Sequence, residues 1–573
     1  MKKKLPIGID NFEKIRDNDY YYVDKTLMIK DLLMSGAEVT LFTRPRRFGK
    51  SLNISMLKSF FSIETAEGSL KQDSESRRET FTGLKIADEE DICSKYMGKY
   101  PVICLSMKDI SALEYTKARE LLIFSINEVA RKNQYLLESE QLTEIDKEAY
   151  QRLLSAEMTE AVLVNSLKVL SELLNKHYGK KAIILIDEYD VPLSKAFEQG
   201  YYDEMTNLLR GFLGQALKSN DNLEFAVLTG CMRISKESIF TGLNNLRVCS
   251  VTDVNFEEFF GFTDSDVKKI LEYYGFEEKY QQIKEWYDGY RFGNVEVYCP
   301  WDVLNYLASL QNDPSAFPQN YWMNTSSNEI VRRFVRKADN GTVRREIEHL
   351  VAGEEIEKEI HQELTYQDMY TSIENMWSVL FTTGYLTKRG MENGRNIRLA
   401  IPNREIRDIF TTQIMTWFKE NVKKDGKTLT DFCLALEEGK SEEVERILSI
   451  YLKKTISIRD TFVQKKMKEN FYHGILIGIL GLKEHWGISS NRESGDGYSD
   501  IIIETQDMEK GIIIETKYAE DGDLQKACEK ALAQIEDNHY EEELKDEGIE
   551  DILKYGIAFY KKRCKVIIKS DTK

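Results

Sequence analysis

Thr43-Arg44-Pro45-Arg46-Arg47-Phe48-Gly49-Lys50-Ser51 follows an apolar run, Val39-Thr40-Leu41-Phe42, and leads into a helical-looking stretch from Leu52 to Phe61. A strand, a tight loop ending in Gly-Lys-Ser and a helix form the setting in which a loop binds phosphate. Backbone amides turn toward the anion, Lys50 brings a point charge to the β/γ oxygens, and the Ser51 hydroxyl holds Mg²⁺ at the positive end of the helix. The expected nucleotide contacts are therefore Arg46, Arg47, Phe48, Gly49, Lys50 and Ser51. The stretch departs from G-x-x-x-x-G-K-[ST] at its first glycine, where Arg44 stands, and Pro45 has no N–H to offer. Alone, Gly-Lys-Ser after a strand reads equally well as a surface turn.

A second stretch weighs against that turn. Lys181-Ala182-Ile183-Ile184-Leu185-Ile186-Asp187-Glu188 is a buried-strand run closed by two carboxylates. In a nucleotide hydrolase Asp187 would lie beside the Mg²⁺ and Glu188 would polarise the attacking water. A core strand with acidic residues at its solvent end is the plainer alternative, and it weakens once both stretches are taken together. Phe225-Ala226-Val227-Leu228-Thr229-Gly230 reads as a further strand that brings Thr229 to the same edge as a γ-phosphate or water sensor. Arg233, just beyond it, is expected to meet transferring phosphate in cis or from a neighbouring subunit, or else to form a surface ion pair.

These residues resemble the signature of the bacterial AAA-ATPase-like family, whose loop often carries arginine in place of the first glycine. The resemblance extends to Asp24-Lys25-Thr26, Phe81-Thr82-Gly83-Leu84, Arg233-Ile234-Ser235-Lys236-Glu237-Ser238 and Leu243-Asn244-Asn245, roughly the first half of the chain. It implies ATP as ligand and a PD-(D/E)XK nuclease domain at the C-terminus.

The C-terminal residues support that implication on their own. Gly497-Tyr498-Ser499-Asp500 opens the apolar run Ile501-Ile502-Ile503, and Gly511-Ile512-Ile513-Ile514-Glu515-Thr516-Lys517 follows after a short turn. Strand alternation puts Glu515 and Lys517 on one face with Thr516 turned away, and a hairpin brings Asp500 beside them. Two carboxylates and a lysine suit metal-assisted phosphodiester hydrolysis: Asp500 and Glu515 hold Mg²⁺ or Mn²⁺ and Lys517 orients water or stabilises charge. Gln534 on a following helix, and Glu493 or His473 upstream, are further candidates, each more simply structural. An ordinary hairpin with exposed charges is the alternative for the whole set.

At 573 residues the chain exceeds one ordinary domain. Strands alternating with helical stretches predict an α/β core with a mostly parallel sheet, and with the resemblances they imply a P-loop NTPase core (1–252), a helical lid (253–328), a helical connector with a winged-helix module as one reading (329–462), and an α/β PD-(D/E)XK nuclease-like domain (463–573). Before the loop, Phe12 and Tyr22 are candidates for stacking on adenine, with core packing the plainer role. The lid aromatics from Trp286 to Trp301 are read as core, with stacking on bases as the alternative. A net charge of -17 argues against one continuous basic surface for nucleic acid, though 79 Lys and Arg leave room for a local channel. The eight cysteines are scattered with no C-x-x-C pair, which points to reduced thiols and no structural zinc. Met1-Lys2-Lys3-Lys4 is followed by no apolar signal core, and no run is long enough for a membrane span. The expectation is a cytoplasmic ATPase that controls a nuclease acting on nucleic acid, DNA before RNA, with a homo-oligomer left open. A nucleotide-gated switch or scaffold that only binds nucleic acid is the alternative.

Overall fold

The structure is a computed structural model that describes residues 2–63, 65–66, 69–70, 74–218, 220–232, 239–240, 244–322, 329–337, 341–361, 363–392, 396–424, 426–455, 465–480, 483, 486–494, 497–505, 510–561 and 563–570. It divides into two compact units that interleave along the chain: Met1–Ser326 with Glu357–Glu405, and Ser327–Ile356 with Ile406–Lys573.

The first unit is built on a five-stranded sheet whose spatial order is Val102–Ser106, Ala182–Asp187, Leu223–Gly230, Val39–Thr43, Leu246–Cys249, every pair parallel. Both central strands that carry motifs, Val39–Thr43 and Ala182–Asp187, are buried along their whole length. Strands covered on both faces read as continuous apolar runs, and this is why they stand out in the sequence. The short strand Leu246–Cys249, with only Cys249 buried, gives no such signal. Parallel pairing brings Thr43, Asp187 and Thr229 to one edge of the sheet, at the carboxyl ends of adjacent strands, where α/β sheets bind their ligands.

The helix Lys50–Phe61 starts directly from that edge. Its N-cap is Gly49, held at φ 80°, a left-handed turn that suits glycine because no Cβ crowds the backbone. Met56, Leu57, Phe60 and Phe61 anchor the helix in the core.

Residues 262–312 form a smaller layer. The helices Asp264–Tyr274, Tyr280–Tyr287 and Pro300–Asn312 enclose Val267, Ile270, Leu271, Ile283, Tyr287, Val303 and Leu307. Thr263 and Asp266 make a reciprocal capping box at the start of the first, and Pro300 begins the third. The N-terminal segment is tied to this layer, since Leu5 joins its core and Lys2 Nζ donates to Tyr274 O at 2.6 Å. Lys25 donates to Asp266 at 2.7 Å and to Glu258 O at 2.8 Å, while Asp24 accepts from the amides of Thr26 and Lys85. Asp24-Lys25-Thr26 thus ties this layer to the stretch that follows Phe81-Thr82-Gly83-Leu84. Tyr287, Tyr290 and Phe292 are buried.

Within Glu357–Glu405 a helix, Ile373–Thr382, runs into the antiparallel hairpin Thr387–Glu392 and Asn396–Ala400, the helix and strand pair expected there.

The second unit carries a mixed sheet ordered Gly487–Ser494, Gly497–Glu504, Lys510–Tyr518, Asp551–Tyr560, Arg563–Ser570, in which only the third and fourth strands are parallel. A parallel pair needs a crossover, supplied by the helix Leu524–Asp537. Helices Gly426–Glu437, Ser441–Thr455 and Lys465–Leu480 contribute Phe432, Leu448, Tyr472 and Leu476 to the core on one face; Ile535, Tyr540 and Leu544 cover the other. The crossover helix lies so close that a Cβ on Gly556 would fall 2.5 Å from the Cys528 carbonyl oxygen.

Candidate functional site

At the edge of the parallel sheet the two motif stretches meet. Ser51 Oγ donates to Asp187 Oδ2 at 2.6 Å, and Thr229 Oγ1 donates to the other oxygen, Asp187 Oδ1. Thr229 Oγ1 also accepts from the Glu188 amide at 3.3 Å. Glu188 takes a left-handed backbone, φ 53°, and burial raises its pKa against the opposing pull of the Lys50 charge. Lys50, only 4% exposed, donates to the carbonyls of Arg44 at 3.0 Å and Pro45 at 2.8 Å. Ser51, Lys50, Asp187, Glu188 and Thr229 are therefore one cluster. Its oxygen donors, a hydroxyl and a carboxylate, have the hard chemistry that suits Mg²⁺.

The loop arginines go different ways. Arg44 is fully buried beneath the loop and donates to Thr43 O at 2.9 Å and Cys249 O at 2.8 Å, with its carbon 4.9 and 5.2 Å from the ring centroids of Phe260 and Phe292. Burial lowers its pKa to about 10, still charged at neutral pH. Arg46 is exposed at the tip. Arg47, at φ 71°, turns its guanidinium toward Trp301 and Trp322, 5.6 and 5.5 Å from their centroids, and donates to Tyr321 O at 3.3 Å. Phe48 is buried against Tyr290 and Phe292. Arg233 lies outside the described residues.

A cavity of about 330 Å³ opens beside this cluster. Gly49, Lys50, Ser51 and Glu188 line it together with Ile7, Gly8, Tyr22, Phe262, Trp301 and Leu304. Phe12 does not line it; it is buried against Phe81 and the edge of Tyr22. Sequence reading passed over Asp190, which accepts from the amides of Cys231 at 2.8 Å and Met232 at 3.1 Å and so fixes the chain beyond Thr229. The acidic run Asp187-Glu188-Tyr189-Asp190 was the available signal.

In the second unit the hairpin and the neighbouring strand converge as a second cluster. Lys517 Nζ donates to Glu515 Oε1 at 2.8 Å. Asp500 Oδ2 accepts from the Thr516 amide at 2.7 Å and from its hydroxyl at 2.6 Å, so Thr516 reaches Asp500 rather than turning away from the site. Two residues on one face of the helix Lys465–Leu480 complete the surroundings. His473 Nδ1 lies 3.7 Å from Asp500 Oδ1, and Glu469 Oε1 accepts from the Tyr518 amide at 3.1 Å. Glu469 and His473 are four residues apart, helical spacing that the sequence displayed. Gln534 donates to Tyr540 Oη at 3.2 Å, and the Glu493 side chain lies outside the described residues.

Burial, then repulsion from Asp500, raises Glu515 to about 7. Burial pulls Lys517 down, but the Glu515 charge and hydrogen bond outweigh it and its pKa rises. Glu515 is 1% exposed, and its Oε2 is buried with no hydrogen-bond partner among the described residues. An orphaned carboxylate oxygen next to a second carboxylate fits a divalent cation. Among the described residues no group of three or more His, Cys, Asp or Glu is arranged around one point for a metal.

These geometries agree in place with two family matches. Residues 6–240 match the family model described as "Predicted AAA-ATPase", and residues 467–569 match the PD-(D/E)XK nuclease superfamily. The chain carries an AAA-ATPase-like domain followed by a PD-(D/E)XK nuclease superfamily domain. A protein of Azotobacter chroococcum mcd 1 described as "Uncharacterized protein in vnfD 5'region" is 31% identical over 335 residues, 57% of this chain and 55% of that protein. The chain thus spans about half the length of that relative. No helix among the described residues is long and apolar enough to cross a membrane.

Proposed function

We propose that the chain binds and hydrolyses ATP and that this controls a metal-dependent nuclease on the same chain, which hydrolyses phosphodiester bonds of nucleic acid, DNA in particular. One observation carries the proposal: two separately built clusters each set hard oxygen donors beside a lysine, Ser51 and Asp187 with Lys50, and Asp500 and Glu515 with Lys517. In the first, the amides of Arg46 to Lys50 and the Lys50 ammonium bind the phosphates. Lys50 exchanges its bonds to the Arg44 and Pro45 carbonyls for phosphate oxygens. Glu188, made more basic by burial, orients water and accepts its proton, while Thr229 fixes Asp187. Arg233 neutralises charge on the transferring phosphoryl group.

In the second cluster Asp500 and Glu515 would hold Mg²⁺ or Mn²⁺. The ion, when bound, supplies Lewis-acid stabilisation and a more acidic water. Thr516 holds Asp500 in place through two hydrogen bonds, and Lys517 orients the nucleophile and offsets charge at the phosphorus. The proposed domains are an ATPase core (1–252), a lid (253–328), a connector (329–462) and a nuclease domain (463–573), in a cytoplasmic protein. Phosphate release from ATP and plasmid cleavage, measured in the wild type, Lys50→Ala and Lys517→Ala, test the assignment. Turnover that survives Lys50→Ala, or cleavage that survives Lys517→Ala, removes it.

A further inference from the structure

Tyr298-Cys299-Pro300-Trp301-Asp302 belongs to the lid motif, and the mechanism above does not use it. Trp301 opens the helix Pro300–Asn312 and lines the 330 Å³ cavity that also holds Gly49, Lys50 and Ser51. The phosphate-binding residues occupy one part of that cavity; Ile7, Ile9, Phe262, Trp301 and Leu304 make the rest of its wall largely apolar. A triphosphate anchored on Lys50 and Ser51 therefore carries its base and sugar toward these side chains.

We infer that Trp301 is the base-contacting residue of this site, its indole stacking on the base of the bound nucleotide. The inference rests on the nucleotide reading and adds the part of the ligand that the phosphate loop cannot recognise.

Two observations carry it. Trp301 Nε1 is buried and has no hydrogen-bond partner among the described residues, although a buried indole N–H ordinarily finds one. A base or ribose acceptor would provide it. The ring is also held from behind the phosphate loop: Arg47 lies 5.6 Å from its centroid and 5.5 Å from that of Trp322, and Trp322 in turn donates its amide to Glu405 at 2.6 Å. Trp301 is thereby braced by the same loop that holds the phosphates. By contrast Phe12 is sealed in the core, and the Tyr22 hydroxyl is directed to Met56 Sδ at 3.6 Å.

The test compares ATP with inorganic tripolyphosphate, which has the phosphates but no base, by calorimetric titration of the full chain with Mg²⁺. Trp301→Leu keeps apolar bulk without a ring, and Trp301→Phe keeps a ring. The leucine variant should bind ATP about 5- to 150-fold more weakly, the range that base stacking spans in alanine substitutions, and tripolyphosphate as the wild type does. The phenylalanine variant should recover most of the ATP affinity. Equal ATP affinity in wild type and Trp301→Leu overturns the inference and leaves the nucleotide reading standing. Parallel loss of ATP and tripolyphosphate also overturns it, assigning Trp301 to loop support through Arg47. A wild type that binds neither ligand removes the nucleotide reading itself, and the inference with it.

Discussion

Replacing Glu405 by glutamine should change how the stability of the first unit depends on pH. Glu405 and Asp302 are both fully buried, and Glu405 Oε1 accepts from the Trp322 amide at 2.6 Å. Asp302 Oδ1 and Oδ2 and Glu405 Oε2 have no donor among the described residues. A proton on Glu405 supplies the missing donor between the two carboxyls. Burial raises both pKa values, and the charge of Asp302 raises Glu405 further; Arg47 pulls both down. The folded chain thus keeps a proton that the unfolded chain loses near the ordinary glutamate value of about 4.3. Folded protein then binds more protons than unfolded, so stability falls as pH rises above that value toward the raised folded pKa. One proton corresponds to about 1.4 kcal/mol per pH unit, hence at most about 4 kcal/mol between pH 5 and pH 8. A glutamine keeps the acceptor for Trp322, offers an N–H to Asp302 and cannot titrate. Thermal unfolding followed by tryptophan fluorescence should show the wild-type midpoint falling by several degrees from pH 5 to pH 8, and Glu405→Gln falling clearly less. Identical pH slopes for the two proteins would refute the shared proton.

Restoring the usual glycine with Arg44→Gly should weaken the fold without improving the loop. The carbonyls of Thr43 and Cys249 each lose a charged donor worth about 1.5–3 kcal/mol, offset in part by no longer burying a charge. The expected net loss is about 2–4 kcal/mol in denaturant unfolding, with ATP affinity no tighter than wild type; a stabilised variant would contradict this account of Arg44. In the second unit, Gly556→Ala forces a Cβ into the Cys528 carbonyl oxygen and should destabilise that unit by about 1–3 kcal/mol, which a shifted unfolding transition would register.

The parallel sheet was legible because its central strands are apolar on both faces and bounded by motif residues. Of its five strands only Leu246–Cys249 escaped, being short and half exposed. In the nuclease domain the paired isoleucine runs gave the hairpin, and the Asp500, Glu515 and Lys517 stretches meet as strand geometry required. What stayed hidden depends on contacts that no local pattern encodes. Arg44 occupies a loop position, yet it is the acceptors at Thr43 and Cys249 and the rings of Phe260 and Phe292 that decide its direction. Glu405 meets Trp322 and Asp302 across about 80 and 100 residues of chain. Thr516 was expected to point away because ideal alternation says so, but its hydroxyl reaches Asp500 at the start of the hairpin. The interleaving of the two units likewise follows from packing between distant stretches.

The measurement that bears most directly on the central claim is cleavage of supercoiled plasmid and of single-stranded DNA with Mg²⁺ or Mn²⁺, with and without ATP, in the wild type, Lys50→Ala and Lys517→Ala. Coupling predicts cleavage that is abolished in Lys517→Ala and that responds to ATP only while Lys50 is intact. Cleavage by the wild type and by Lys50→Ala at equal rates, unaffected by ATP, would contradict it.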